Sequence, residues 1–134
     1  MAIIVDDKTR AVVQGITGKQ GAFHTKQMLA YGTRIVAGTS PTKAGVEVEG
    51  IPVYETVLEA VDKHGANTSV LFVPAPAAKD AAFEAIDAGC QTVVIIAEHV
   101  PFQDAAEVVS YARQNGTVVI GPNTYGICSP GKAK

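Results

Sequence analysis

Gly15-Ile16-Thr17-Gly18-Lys19-Gln20-Gly21 is the most informative stretch of this chain. It follows an apolar run at residues 11–13 and precedes residues 22–31, which have the composition of a helix. When a strand, a glycine-rich turn and a helix occur in this order, backbone N–H groups and the helix N-terminus together hold a phosphate. The spacing Gly-x-x-Gly-x-x-Gly differs from the Gly-x-Gly-x-x-Gly fingerprint of NAD-binding domains. We therefore predict that the turn binds a phosphate group.

A repeated pattern along the chain predicts the fold. Five short runs rich in β-branched residues predict strands, at residues 11–14, 34–37, 69–73, 92–97 and 117–120. These runs are mostly apolar on both alternations, which is typical of parallel strands covered on both faces. The helical segments between them end in glycines suited to left-handed caps, namely Gly32, Gly65, Gly89 and Gly116. We expect one α/β domain over residues 1–134, a Rossmann-like doubly wound parallel sheet of about five strands with helices on both faces.

The interval after the second predicted strand is longer than the others. Residues 46–49 and 51–54, around Gly50, predict a small hairpin or two short extended pieces. NAD-binding domains carry an acidic residue near this point to bind the ribose hydroxyls. This chain offers Thr39, Ser40 and Lys43 instead. Hydroxyls and a cation suit a phosphorylated ribose, either the 2′-phosphate of NADP or the 3′-phosphate of coenzyme A, and spacing alone does not distinguish the two.

Composition limits the class of partner. The chain has 134 residues, of which 47% are hydrophobic and 18% are charged, and this balance is typical of a globular domain. A net charge of -2 without a basic run predicts no nucleic-acid partner. The N-terminal segment contains several charged residues, so we expect no signal peptide. No apolar run is long enough to predict a membrane span. Cys90 and Cys128 lack metal-ligand spacing, so we expect no metal and a cytoplasmic location.

The motifs of this chain resemble one enzyme family. Residues 14–24 and 31–33 are similar to the start of the α subunit of succinyl-CoA synthetase (succinate–CoA ligase). Further similar segments follow in the same order, at residues 38–45, 72–76, 84–89 and 120–123. The resemblance covers essentially the whole chain and implies an N-terminal coenzyme A-binding domain. It also implies the contact residues, which are Thr17, Gly18, Lys19 and Gln20 for the phosphates, then Lys43, and Ile96, Ala97 and Glu98 for the path beyond.

Two departures from the family pattern bear on the acyl substrate. The family usually has Gly-Pro-Asn-Cys-Pro-Gly where residues 121–126 read Gly-Pro-Asn-Thr-Tyr-Gly. It usually has Glu-Gly-Ile-Pro where residues 98–101 read Glu-His-Val-Pro. Both positions are expected at the mouth of the site, where the coenzyme thiol emerges. The coenzyme site is therefore expected to persist, while the acyl substrate could be succinate or another dicarboxylate such as malate.

The resemblance also implies which functions this chain lacks. In that family, phosphate passes from a nucleotide through a phosphohistidine to the carboxylate, and the coenzyme thiol then attacks the acyl phosphate. The phosphohistidine belongs to a second α-subunit domain, so we predict no catalytic residue here and assign none of His24, His64 or His99 to that role. The expected partners are the remainder of the α subunit and a nucleotide-binding β subunit. A free-standing coenzyme A-binding regulatory or carrier protein is the alternative, and half of an NADP-dependent oxidoreductase is a weaker one.

Overall fold

The computed structural model describes residues 9–32, 34–40, 43–96 and 100–120. Seven strands and four helices lie within these ranges. In chain order they are β1 (Ala11–Gln14), α1 (Lys19–Tyr31), β2 (Ile35–Thr39), β3 (Glu47–Val48), β4 (Ile51–Tyr54), α2 (Val57–His64), β5 (Thr68–Leu71), α3 (Ala75–Asp87), β6 (Thr92–Ile95), α4 (Phe102–Gln114) and β7 (Val118–Ile120). None of these helices is long and apolar enough to cross a membrane.

The strands form one sheet in the order β3-β4-β2-β1-β5-β6-β7. All neighbouring pairs are parallel except the antiparallel pair β3–β4. If the six parallel strands are numbered along the chain, their order is the 3-2-1-4-5-6 of the Rossmann fold. Successive strands are added on one side of β1 as far as β4 and on its other side from β5 onward, so the strand order reverses between β1 and β5. In folds of this type the ligand binds in the crevice at such a reversal point. The predicted fold class is confirmed.

The predicted hairpin is part of the main sheet. β3 and β4 pair through Glu47 with Pro52 and through Val48 with Ile51. β4 also pairs in parallel with β2, so that Val53 lies opposite Gly38. The sheet therefore has seven strands where the sequence predicted about five. Because Pro52 lies within β4 and that strand is largely half-buried, its sequence lacks the continuous apolar pattern that revealed the other parallel strands.

Helices cover both faces of the sheet, as predicted. On one face, Val13, Ile16 and Met28 join β1 to α1 in a small hydrophobic core. On the other face, a larger core includes Val12 and Leu71 and packs against α2, α3 and α4. The alternation of side chains along β1 sends neighbouring residues to opposite cores. All four predicted cap glycines have a positive φ, between 68° and 101°, as a left-handed helix end requires.

Ile16 connects the glycine-rich turn to β2. Its side chain is completely buried although the residue lies in a turn. A Cβ atom added at Gly38 would lie 2.5 Å from both Cδ1 and Cγ2 of Ile16, well inside van der Waals contact. Because Gly38 has no side chain, Ile16 can occupy the space next to it, and the turn packs directly on β2.

We expect Gly38→Ala to lower the free energy of unfolding by about 1–3 kcal/mol, because the added methyl group overpacks this contact. Ile16→Ala alone should cost about 2–5 kcal/mol through the cavity it leaves. The double variant should be more stable than the sum of the two losses predicts, since the new methyl group occupies the space that Ile16 vacates. Urea unfolding of the four proteins measures this coupling, and strictly additive losses would contradict the contact.

Candidate phosphate-binding site

The turn after β1 is fixed by backbone hydrogen bonds to both neighbouring strands. The Gly15 N–H donates to the Thr39 carbonyl of β2 at 3.1 Å, and the Phe72 N–H donates to the Gln14 carbonyl at 2.8 Å. Gly15 has a φ of 83°, and a Cβ atom there would overlap the Phe72 carbonyl oxygen. Only glycine satisfies both conditions. The turn therefore lies against backbone at the point between β1 and β5 where the strand order reverses.

The start of α1 presents unused hydrogen-bond donors. Gly18 is the N-cap residue, and the Ala22 N–H donates to its carbonyl at 2.9 Å. The N–H groups of the three residues between them have no partner within the helix. No side chain caps this helix start, and its first turn contains no acidic residue. These donors and the positive end of the helix dipole form a site that favours an anion.

The three glycines of the turn have different roles. A Cβ atom on Gly21 would overlap the Gly15 carbonyl oxygen, so the helix can fold back onto the turn only with glycine there. This packing is reinforced by the buried Thr25 hydroxyl, which donates to the Gly21 carbonyl at 2.7 Å. A Cβ atom on Gly18 would meet only the Gly15 carbonyl oxygen, at 3.3 Å, and Gly18 is exposed. Gly15 and Gly21 are therefore required for the shape of the turn, whereas Gly18 leaves the outer surface of the turn unobstructed.

A buried polar network beneath the turn was not predicted. The Gln14 side chain accepts a hydrogen bond from the Ser69 hydroxyl at 2.5 Å and donates to the Ala81 carbonyl at 3.2 Å. It thereby joins β1, β5 and α3 directly below Gly15. The sequence contained one signal for this role, because Gln14 is a polar residue that ends an otherwise apolar strand.

Two of the histidines make specific side-chain contacts. The His24 ring stacks on Phe72 with centroids 5.0 Å apart and planes within 9° of each other. Phe23, which is 56% exposed, contacts the same histidine edge to face. His64 forms a hydrogen bond of 2.7 Å with the Tyr54 hydroxyl. Both rings have structural partners, whereas His99 lies outside the described residues.

The structure brings one group of predicted contact residues together. Thr17, Gly18, Lys19 and Gln20 are consecutive in the turn and the helix start, and all but the half-buried Thr17 are exposed. Lys43 is exposed and lies close to the same edge of the sheet. Its position follows from Gly45, whose N–H donates to the Val53 carbonyl at 2.9 Å and so aligns this loop antiparallel to β4. The backbone of residue 43 thus lies toward the carboxyl end of β4.

The third predicted group is only partly described. Ile96 follows β6 directly, is half-buried, and donates its N–H to the Leu71 carbonyl at 3.3 Å. It therefore lies at the carboxyl edge, two strands from β1. Ala97 and Glu98 lie outside the described residues. The contacts of all eight residues with a ligand remain predictions.

Comparison with known proteins identifies the class. Residues 6–99 match the family model described as CoA binding domain, and the chain belongs to that family. Its relatives include succinate–CoA ligase (ADP-forming) subunit alpha 2 of Archaeoglobus fulgidus, 56% identical over 98% of this chain and 46% of the relative. The corresponding subunit alpha of Methanothermobacter thermautotrophicus is 55% identical over 98% of this chain and 45% of the relative. The chain thus spans slightly less than half the length of these relatives.

A solved structure supports the same classification. The ATP citrate lyase of Methanothrix soehngenii, in complex with citrate and coenzyme A, matches 98% of this chain and 23% of its own. The TM-score is 0.84 and the sequence identity is 26%. The predicted family and its cofactor, coenzyme A, are confirmed by these findings.

Gly21→Ala should lower the free energy of unfolding by about 1–3 kcal/mol through its clash with the Gly15 carbonyl, even though alanine gains up to ~1 kcal/mol in helix propensity. Gly18→Ala is the matched control, with an expected loss below about 1 kcal/mol because that position is open. Chemical denaturation of both variants measures the difference. Equal losses at the two positions would show that Gly21 does not pack as described.

Proposed function

We propose that this domain binds coenzyme A across the carboxyl edge of its sheet, as the N-terminal part of a succinate–CoA ligase α subunit. The observation that carries the site assignment is the uncapped start of α1, which follows β1 at the reversal point of the sheet and has no acidic side chain in its first turn. The observation that carries the enzyme assignment is the 55–56% identity to curated α subunits over nearly the whole chain.

The residues of this edge fit the anionic groups of coenzyme A. The coenzyme carries a diphosphate and a separate 3′-phosphate. The donors at Lys19, Gln20 and Gly21 suit the diphosphate, because backbone N–H groups at a helix start bind phosphate oxygens. Gly18 has no side chain to obstruct close approach of the ligand to the turn.

The second phosphate is assigned to Lys43. The sequence suggested hydroxyls as well as a cation here, but Thr39 and Ser40 are both buried. Their backbone groups are engaged, since the Thr39 carbonyl accepts from Gly15 and the Ser40 N–H donates to the Tyr54 carbonyl at 3.0 Å. Lys43 is the exposed charged group of this segment and suits a phosphate as a mobile point charge.

Within the proposed enzyme, this domain holds and orients the coenzyme. The bound coenzyme supplies the thiol whose sulfur becomes part of the thioester product. The two described histidines are assigned structural roles and no part in phosphate transfer, because His24 stacks on Phe72 and His64 forms a hydrogen bond with Tyr54. Phosphate transfer is assigned to the remainder of the α subunit together with a nucleotide-binding β subunit, and succinate is the proposed acyl substrate because the relatives carry that name. A cytoplasmic location, consistent with the free Cys90 thiol, belongs to the same proposal.

Calorimetric titration with coenzyme A, with NADP and NAD as comparison ligands, tests the binding function. We expect coenzyme A to bind selectively and Gly18→Val to weaken it at least about tenfold, or ~1.4 kcal/mol, because a branched side chain blocks the turn. Gly18→Ala adds a smaller obstruction, so its affinity for coenzyme A should lie between those of the wild-type domain and Gly18→Val. Selective NADP binding, or no coenzyme A binding by the folded domain, would overturn the assignment.

Lys43→Ala tests the second phosphate contact. It should weaken coenzyme A about tenfold, ~1.4 kcal/mol, and leave 3′-dephospho-coenzyme A unchanged, because only the former presents the extra phosphate. Lys26→Ala, which removes another exposed lysine two turns into α1, is the matched control and should affect neither ligand. Equal losses for both ligands on Lys43→Ala would remove Lys43 from the 3′-phosphate.

A further inference from the structure

Three aromatic side chains, Phe23, His24 and Phe72, are in contact beside the start of α1, and we call them the aromatic group. The His24 imidazole stacks on the Phe72 ring, and the Phe23 ring meets the imidazole at 81° with centroids 5.4 Å apart. Phe72 packs against the small core, whereas Phe23 is 56% exposed. Within the described part of the chain, the ring nitrogens of His24 form no hydrogen bond. The aromatic group therefore combines an exposed apolar ring with a free polar edge.

The aromatic group lies next to the donors of the candidate phosphate site. Helical side chains lean toward the N-terminus and cover residues three or four positions earlier. Phe23 and His24 therefore lie one turn beyond the donors of residues 19–20. Phe72 directly follows β5, and its carbonyl oxygen is the atom that a Cβ atom on Gly15 would overlap. The group thus lies between α1 and the carboxyl end of β5, at the reversal point of the sheet.

The direction of the coenzyme across the sheet follows from the proposed function, on which this inference rests. In that proposal, Lys43 beside β4 holds the 3′-phosphate, the start of α1 holds the diphosphate, and Ile96 after β6 is a contact further along. β5 is the strand between β1 and β6. β6 is about 10 Å from β1, at the usual spacing of strands. The part of the coenzyme that follows the diphosphate therefore crosses the end of β5, where the aromatic group lies.

The chemistry of that part of the coenzyme matches the aromatic group. In coenzyme A the diphosphate is followed by the pantoyl unit, which contains a carbon with two methyl groups and, next to it, a carbon with a hydroxyl group. Methyl groups are stabilised by contact with an aromatic ring that would otherwise face water, and a hydroxyl group forms a hydrogen bond with an imidazole nitrogen. NAD and NADP have a ribose at this position, without methyl groups to bury. A surface of this kind therefore favours coenzyme A over a dinucleotide.

We propose that the aromatic group is the subsite for the pantoyl unit of coenzyme A. The Phe23 and Phe72 rings contact the two methyl groups, and a ring nitrogen of His24 forms a hydrogen bond with the hydroxyl group. Contact with the ligand removes from water a phenyl ring that the fold leaves 56% exposed. The stack on Phe72 holds the imidazole in place, so the structural role of His24 and its role in binding are compatible.

Two ligands that differ by the pantetheine arm test the proposal. Adenosine 3′-phosphate 5′-diphosphate has the diphosphate and the 3′-phosphate of coenzyme A but lacks the arm. In calorimetric titration of the full chain, Phe23→Ala should weaken coenzyme A about tenfold and leave the affinity for the shorter ligand within about twofold, because it removes an aromatic contact to the arm alone. Val109→Ala, which shortens an exposed side chain two turns into α4, is the matched control and should affect neither ligand.

His24→Phe separates the hydrogen bond from the stacking. The phenyl ring can stack on Phe72 as the imidazole does, but it has no nitrogen. Coenzyme A should therefore bind about three- to tenfold more weakly, the usual effect of losing one hydrogen bond, while the shorter ligand is unaffected. Unchanged affinity for coenzyme A would contradict the contact between His24 and the hydroxyl group.

The same titrations distinguish failure of this proposal from failure of the proposed function. Equal losses for both ligands in Phe23→Ala would mean that the aromatic group supports only the phosphate turn. Full coenzyme A affinity in that variant would mean that the pantoyl unit lies elsewhere. Either result would overturn the subsite and leave the coenzyme site in place. Failure of the unaltered chain to bind either ligand would overturn the proposed function, and the subsite with it.

Discussion

Direct contact between backbones at residues 15–21 is the constraint on which the rest of this domain depends. Gly15 lies against the Phe72 carbonyl, and Gly21 lies against the Gly15 carbonyl, with no side chain between them in either case. These contacts set the distance between β1 and β5 at their carboxyl ends and the point at which α1 begins. Ile16 adds a third constraint by filling the space over Gly38. The geometry of the candidate anion site thus arises from main-chain packing, and its backbone donors need no flexible side chain to position them.

The polar network beneath the turn complements this packing. Gln14 is buried, and its amide is satisfied by Ser69 and by the Ala81 carbonyl. A buried amide without partners would cost about 1–3 kcal/mol, so the network favours one relative placement of β1, β5 and α3. Because α3 and α1 both begin at the carboxyl edge, that placement also fixes the two walls of the crevice. A rigid crevice is expected of a domain that holds a long, flexible coenzyme, since preorganisation reduces the entropic cost of binding.

The parts of the fold that were predicted are those encoded locally. The glycine-rich turn, the cap glycines and the alternation of strands with helices each occupy a few consecutive residues, so the sequence displays them directly. The role of Gln14 depends on Ser69 and Ala81, which are 55 and 67 residues away. The incorporation of β4 likewise depends on pairing with β2, and the burial of Thr39 and Ser40 depends on what packs around them. These features are decided by tertiary contacts, which composition and periodicity do not contain.

The two edges of the sheet differ in their protection. At one edge, β3 is only two residues long, runs antiparallel and is followed by a sharp turn at Glu49 and Gly50, both with positive φ. Short, irregular edge strands discourage pairing with another molecule. At the other edge, the described part of the sheet ends with β7, a parallel strand with Val118 exposed. Among the described strands, β7 is therefore the edge more open to pairing with another molecule, and shielding of that strand would favour a protein that remains dispersed at high concentration.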